Sequence, residues 1–116
     1  MYGVSKDLNI AYLHGATLIQ VCLGEYQLQF HFHPQGAISV EGRWELRDAV
    51  GGLLDRSYGG EERPPYQLHR LLGQKVVGTQ VSAPESCAVE FEKGEVLRFF
   101  DDSQQFESFQ IDGVIV

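Results

Sequence analysis

Residues 26–33 constrain the fold of this chain more than any other stretch. Every even position is apolar and every odd position is polar. Successive side chains of a β-strand point to opposite faces, so this alternation buries one face of a strand, whereas a helix with a period of 3.6 residues could not use it. The pattern predicts a strand with Phe30 and Phe32 facing a core and with His31 and His33 facing away.

Similar alternation predicts further strands at residues 18–23, 38–47, 87–92, 96–100 and 109–116. The turn residues Pro34–Ala37 should join the first two runs of clear alternation, 26–33 and 38–47, into a hairpin. Leucines spaced three and four residues apart predict a short helical turn before Gly73, and a second such turn is expected before Gly15. Residues 47–65 are rich in Gly, Pro and Glu and indicate a surface connector with an edge strand at Leu53-Leu54.

An internal repeat is also visible. The pattern Leu13-x-Gly15-x-x-Leu18-Ile19 recurs as Leu71-x-Gly73-x-x-Val76-Val77, an offset of 58 residues in a chain of 116. The chain is therefore interpreted as a single domain, residues 1–116, made of two pseudo-repeat halves, 1–58 and 59–116. A three-stranded unit cannot cover its own apolar face, but two copies can cover each other. The predicted fold is mainly β: a small antiparallel barrel or a two-layer sandwich, with one or two short helical turns.

Composition and charge narrow the classes of function. The start of the sequence lacks the apolar run of a signal peptide, and no stretch is apolar for long enough to span a membrane, so we expect a soluble, cytoplasmic protein without membrane contact. The net charge is −7, with −2 in the first half and −5 in the second. The sequence has no run of Lys and Arg of the kind that binds nucleic acid. The acidic excess indicates either simple solubility or an acidic face for a basic protein partner.

His31 and His33 share one face of their predicted strand, which is how several β-barrel metal sites begin. The hairpin should add Glu41 from the facing strand, either with His31 opposite Glu41 or, in the other register, with His31 opposite Ser39. Metal sites need three or four ligands, and no further donor is evident. The two interpretations are a metal or ligand site and ordinary solvated histidines; no cofactor is predicted.

Carboxylates supply another set of candidate binding residues. Asp101 and Asp102 end a strand, and Glu107 is close to two phenylalanines. A carboxylate against apolar surface suits acid–base chemistry or partner binding, while turn formation and edge protection are the structural alternatives. The sequence contains no nucleophile elbow, dinucleotide-binding loop or phosphate-binding loop, and its two cysteines fall in apolar strands. We therefore predict that the protein is not an enzyme.

Three motifs and the alternating strand through Phe30 resemble features of a family of small single-domain bacterial proteins of unknown function. The motifs are Leu-x-Gly-x-x-Leu-Ile at 13–19, Ile-Ser-Val-Glu-Gly at 38–42, and Phe-Phe-Asp-Asp followed by Phe-Glu-Ser-Phe-x-Ile at 99–111. The likeness covers nearly the whole chain except residues 47–65, and none of its motifs is catalytic. Bacterial proteins of this size and architecture include immunity proteins, which neutralise toxins by covering them; that link is one of analogy.

Two functional hypotheses follow. The first is a non-enzymatic protein-binding module, immunity-like in its action, that uses an acidic surface against a basic partner. The second is a small-ligand or metal-binding β-barrel that uses His31, His33 and Glu41. A homodimer is compatible with either hypothesis.

Overall fold

A computed structural model describes residues 10–24, 27–58, 62–82, 85–100, 109–111 and 114–115. Short 3₁₀ helices span Ala11–Leu13 and Leu68–Leu71. The strands are β1 Thr17–Leu23, β2 Leu28–His33, β3 Ala37–Val40, β4 Trp44–Arg47, β5 Leu53–Arg56, β6 Val76–Ser82, β7 Ser86–Phe91, β8 Val96–Phe100, β9 Phe109–Ile111 and β10 Val114–Ile115. The predictions of a mainly-β fold and of short helical turns are confirmed.

The strands form two antiparallel sheets of five. The first sheet has the order β1-β2-β3-β9-β10 and the second the order β5-β4-β8-β7-β6. Each sheet therefore combines strands from both halves of the chain. The sheets do not close into a barrel, so of the two predicted architectures the sandwich is the one that fits.

One apolar core lies between the sheets. The Phe30 ring on β2 meets the Phe99 ring on β8 edge-to-face, with 5.8 Å between the ring centroids. Both side chains are fully buried. Leu28 and Phe32 are buried with Phe30, while Gln29 and His31 are only half-buried, so the alternation of β2 sets its faces as predicted.

The sheets are also joined at one corner by reciprocal backbone hydrogen bonds. The bonds form two pairs, and within a pair the residues of one bond are 58 positions from those of the other, with the donor and the acceptor in opposite halves of the chain. In the first pair the Gly15 N–H donates to the Val76 carbonyl (2.7 Å) and the Gly73 N–H donates to the Leu18 carbonyl (2.8 Å). In the second pair the Leu18 N–H donates to the Gln74 carbonyl (3.0 Å) and the Val76 N–H donates to the Ala16 carbonyl (2.8 Å). A single bridge pairs Thr17 with Lys75, also 58 residues apart, at the centre of this arrangement. The corner thus has local two-fold symmetry; duplication of the chain itself stays a prediction.

The register of the β2–β3 hairpin differs from both registers that the sequence predicts. The Phe32 N–H donates to the Gly36 carbonyl (2.8 Å), and His31 lies opposite Ala37. The turn is centred on Pro34, one or two residues earlier than expected, because five residues from Phe32 to Gly36 suffice to reverse the chain. The predicted pairs of His31 with Glu41 and with Ser39 are wrong.

The predicted strand 38–47 is two strands in different sheets. After β3 the chain crosses at 41–43 to the second sheet, where β4 lies between β5 and β8. The alternation does not reveal this crossing, because β3 and β4 each bury their apolar side chains in the one core between the sheets. The edge strand expected at Leu53-Leu54 is confirmed, since β5 is outermost in its sheet. None of the helices in the described ranges has the length and apolar character needed to cross a membrane.

Candidate functional site

The residues of the predicted histidine site do not assemble. His31 is half-buried on the outer face of the first sheet, with Nε2 3.2 Å from the Gln29 side-chain oxygen. His33 is the last residue of β2 and Glu41 directly follows β3, and both are exposed. Across the ranges that the structure describes, no group of three or more His, Cys, Asp or Glu side chains is placed to hold a metal ion. The other predicted site residues, Asp101, Asp102 and Glu107, lie outside those ranges.

The two cysteines lie in different surroundings. Cys87 is fully buried in the core, and burial raises the pKa of its thiol to about 12. The reactive form of cysteine is the thiolate, which such a pKa makes rare at neutral pH. Cys22 is half-buried on β1. Both thiols are free, and Cys87 serves the packing of the core.

The outer face of the second sheet carries a feature that sequence reasoning missed. Four of the chain's nine Lys and Arg residues are arginines in or beside three neighbouring strands. Arg43 directly precedes β4, Arg47 ends β4, Arg56 ends β5 and Arg98 lies in β8. The register puts Arg56, Glu45 and Arg98 side by side on three neighbouring strands. We call these four arginines the arginine face.

Arg98 is held in place by neutral acceptors. Its partner on β7 is Ala88, which is fully buried. Its guanidinium reaches past Ala88 to donate from Nη1 to Ser86 Oγ (2.9 Å) and from Nη2 to Gln80 Oε1 (2.8 Å). These bonds orient the guanidinium without neutralising its charge.

Aromatic rings position two more arginines. Cζ of Arg43 is 3.9 Å from the centre of the Phe100 ring, and Cζ of Arg56 is 3.9 Å from the centre of the Tyr58 ring. A guanidinium that stacks on a ring gains cation–π attraction, and its N–H groups can still point sideways toward an acceptor. Nη1 of Arg56 also donates to the Ser57 carbonyl (2.9 Å).

Carboxylates share the arginine face with the guanidinium groups. Glu45 pairs with Arg47 (3.0 Å) and raises the pKa of that guanidinium by accepting its hydrogen bond. In the described ranges the other Arg–carboxylate pairs involve Arg63 and Arg70, and none involves Arg56 or Arg98. Glu45, Asp48 and Glu90 lie on the same face as these cations, so the charges there are mixed.

A shallow depression of about 250 Å³ lies at one end of the arginine face. Its walls include Glu45, Arg47, Val96 and Arg98, together with the turn that joins β4 to β5. Nη1 of Arg47 donates to the Gly51 carbonyl of that turn (2.9 Å). The depression is large enough for one side chain of a partner, with cationic and anionic groups in its walls.

A buried carboxylate anchors the strand that carries Arg56. The Asp55 side chain accepts hydrogen bonds from Arg63 Nη2 (2.7 Å), the Arg56 N–H (2.8 Å) and the Gln67 N–H (2.8 Å). Arg63 in turn stacks on Tyr66 at 3.5 Å from the ring centre. The segment after β5 is thereby tied down, which holds Arg56 at the edge of the sheet.

The outer face of the first sheet is uncharged at the equivalent positions. Gln29 lies opposite Ser39 there, where the second sheet has Ala88 opposite Arg98. The inner faces of both sheets are alike because both build the core, whereas the outer faces differ. A five-stranded sheet of this kind therefore does not need arginines on its outer face.

A scan against protein-family models found no matching family, and searches of curated proteins and of solved structures found no match. The resemblance to a bacterial family of unknown function stays a prediction from the motifs. The function is therefore inferred from the arginine face.

Proposed function

We propose that this chain is a non-enzymatic protein-binding module and that the arginine face is its binding surface. The observation that supports this proposal is a set of guanidinium groups held in fixed positions on an outer sheet face. Arg43 and Arg56 are held by aromatic rings, and Arg98 is held by Ser86 and Gln80. Arginine and aromatic residues are enriched in protein interfaces and among the residues that dominate binding energy.

Prior ordering of these side chains favours binding. Fixing a flexible side chain at an interface costs roughly 0.5–1.5 kcal/mol. Arg56 and Arg98 already make hydrogen bonds within the chain, so part of this cost is met in folding. A flat sheet face also offers several side chains to one partner at once, which an isolated surface arginine does not.

An immunity-like role, in which the chain neutralises a toxin by covering it, is one form that this proposal takes. A toxin gene beside the gene for this chain would support it. The basic partner expected from the net charge of −7 would have to contact other surfaces, where Glu41, Glu62 and Glu85 are exposed.

Affinity capture with matched variants tests the proposal. The bait is the full chain, compared with R56Q/R98Q on the arginine face and with Q29S/S39A on the outer face of the first sheet. We expect one protein to be recovered in stoichiometric amount by the wild type and by Q29S/S39A, and to be lost with R56Q/R98Q. Equal recovery with both variants would exclude the arginine face as the binding surface.

A further inference from the structure

We propose that two copies of this chain form a homodimer by antiparallel pairing of their β1 strands, centred on Cys22. The two first sheets then become one continuous sheet across a two-fold axis, with Val21 of each copy opposite Leu23 of the other. This interface goes beyond the proposed function and does not depend on it, because β1 belongs to the first sheet and the arginine face to the second.

The free edge of β1 offers backbone groups for this pairing. In an antiparallel pair, residues whose N–H and C=O groups bond to the neighbouring strand alternate with residues whose groups point away from it. The Gly24 N–H donates to the Gln27 carbonyl (2.9 Å), which places Gly24 among the residues that face β2. Cys22 therefore also faces β2, while Val21 and Leu23 direct their backbone groups to the free edge. β1 is the last strand of its sheet, and no other described residue bonds to these outward groups.

An exposed apolar side chain lies on the same edge. Leu23 is paired with Leu28 on the inner face of the sheet, yet Leu23 is 55% exposed and Leu28 only 5%. Val21 lies on the same face, is half-buried and packs against the core. Pairing with a second copy would place Leu23 of one copy beside Val21 of the other, which extends the core across the interface and removes apolar surface from water.

The edge strand of the second sheet is protected in a way that β1 is not. On β5 the Arg56 N–H donates to Asp55 Oδ1 (2.8 Å), and the Arg56 carbonyl accepts a hydrogen bond from Arg63 Nη2 (2.8 Å). Charged side chains at an edge strand are a common means of preventing it from pairing with another chain. β1 contains no charged residue, and no described side chain caps its outward groups.

A second copy is the occupant that the charges favour. A net charge of −7 opposes self-association wherever acidic surfaces meet, but β1 and its neighbour β2 contain no Lys, Arg, Asp or Glu. Two identical strands that pair about a two-fold axis also match every donor with an acceptor and close the assembly at two copies.

The equivalent strand of the second sheet, β6, suits this role less well. At the positions 58 residues after Val21 and Leu23, β6 has Thr79 and Val81, and both are half-buried. β6 therefore leaves no apolar side chain uncovered where Leu23 does on β1.

Sedimentation of the wild type and of two matched variants over a range of concentrations tests the interface. Leu23→Lys places a charge on the edge of β1, and Leu53→Lys makes the same change at a leucine of similar exposure (49%) on β5. We expect the wild type and Leu53→Lys to dimerise as the concentration rises and Leu23→Lys to remain monomeric, because lysine on an edge strand opposes pairing. Since both leucines are exposed, the unfolding midpoints of the variants should match that of the wild type.

Thiol oxidation tests the register without any change at the interface. Cys22 would lie opposite Cys22 of the second copy in a pair that is not hydrogen-bonded, where the Cα atoms are about 4.5 Å apart and within reach of a disulfide. We expect copper–phenanthroline in air to link native wild-type chains through Cys22. Cys22→Ala should give no linked dimer, because Cys87 is buried.

A monomer at every concentration would overturn the proposal, as would a dimer that Leu23→Lys leaves intact or that Leu53→Lys also abolishes. A dimer that forms no Cys22 disulfide would overturn the pairing centred on Cys22. If the chain is a monomer and Leu23→Lys abolishes capture of a partner protein, a strand of that protein occupies the edge and the second copy is rejected. A homodimer whose capture of a partner is independent of the arginine face would support this inference and reject the proposed function.

Discussion

At the scale of single residues, the buried carboxylate of Asp55 has donors for its hydrogen bonds from three different residues. Its side chain is 2% exposed and accepts three hydrogen bonds, one of them from a guanidinium that is itself mostly covered. A buried carboxylate loses its hydration, and only such a set of donors makes its burial tolerable. The position of Arg56 therefore depends on a residue that does not itself belong to the arginine face.

We expect Asp55→Ala to lower the free energy of unfolding by about 3–5 kcal/mol, because it leaves the Arg63 guanidinium without its carboxylate and two backbone N–H groups without acceptors. Urea denaturation measures the change. Glu45→Ala is the control, since its pair with Arg47 is far more exposed and should be worth less than about 1 kcal/mol. Similar losses for the two variants would show that Asp55 is not the anchor described.

Cysteine reactivity gives a second prediction at this scale. Burial raises the pKa of Cys87 to about 12, so at neutral pH almost none of it is thiolate. We expect an alkylating reagent to modify Cys22 alone in the native protein at neutral pH, and to modify both cysteines after unfolding in urea. Mass spectrometry with Cys22→Ala as control checks this. Rapid modification of Cys87 in the folded Cys22→Ala variant would contradict its burial.

At the scale of elements, the two halves of the chain meet through matching glycines. Gly15 and Gly73 follow the two 3₁₀ helices and have φ angles of +87° and +85°, a conformation that side chains disfavour. A Cβ atom would meet nothing within 4 Å at either position. At both positions a substitution is therefore limited by the backbone conformation and not by contact with neighbouring atoms.

We expect Gly15→Ala and Gly73→Ala to destabilise the fold by the same amount, about 1–2 kcal/mol each, which is the strain of a left-handed residue. Gly94→Ala should cost more, because its φ is +97° and its Cβ would lie 2.5 Å from Cβ of Ala49. Thermal or urea unfolding of the three variants gives the order. Clearly unequal effects at Gly15 and Gly73 would contradict the two-fold equivalence of this corner.

The two faces of β2 could be predicted from the sequence, but the neighbours of the strands could not. The alternation in β2 sets which side chains are buried, since only one face of a strand meets the core. The alternation does not indicate that β4 belongs to a different sheet from β3, because the inner face of β4 would be apolar in either sheet. The histidine site failed for a related reason: its ligands depended on one register, and the turn at Pro34 gives another.

The arginine face illustrates the same limit. Arg43 and Arg47 share a face within one alternating run, so the sequence pattern already places them together. Arg98 joins them only because β4 pairs with β8, some fifty residues later in the chain, and Arg56 joins through β5. A search of the sequence for runs of Lys and Arg does not find a cluster that is assembled by strand pairing.

At the scale of the whole molecule, the net charge does not show how charged side chains are distributed over the surface. A total of −7 indicates an acidic protein, and that total motivated the expectation of a basic partner. Charged side chains, arginines among them, lie on the outer face of the second sheet, and Gln29 and Ser39 lie on the outer face of the first. A partner that binds the arginine face and a partner that binds the exposed acidic residues can therefore be distinguished by locating where the partner binds.

The most direct test is a map of backbone amide shifts in the isotope-labelled full chain while the captured partner is added. We predict that the perturbed amides cluster at Arg43, Arg56, Arg98 and Phe100, while those of Gln29 and Ser39 on the opposite face stay unchanged. Perturbations centred on the first sheet, or on the exposed acidic residues, would contradict the claim that the arginine face is the binding surface.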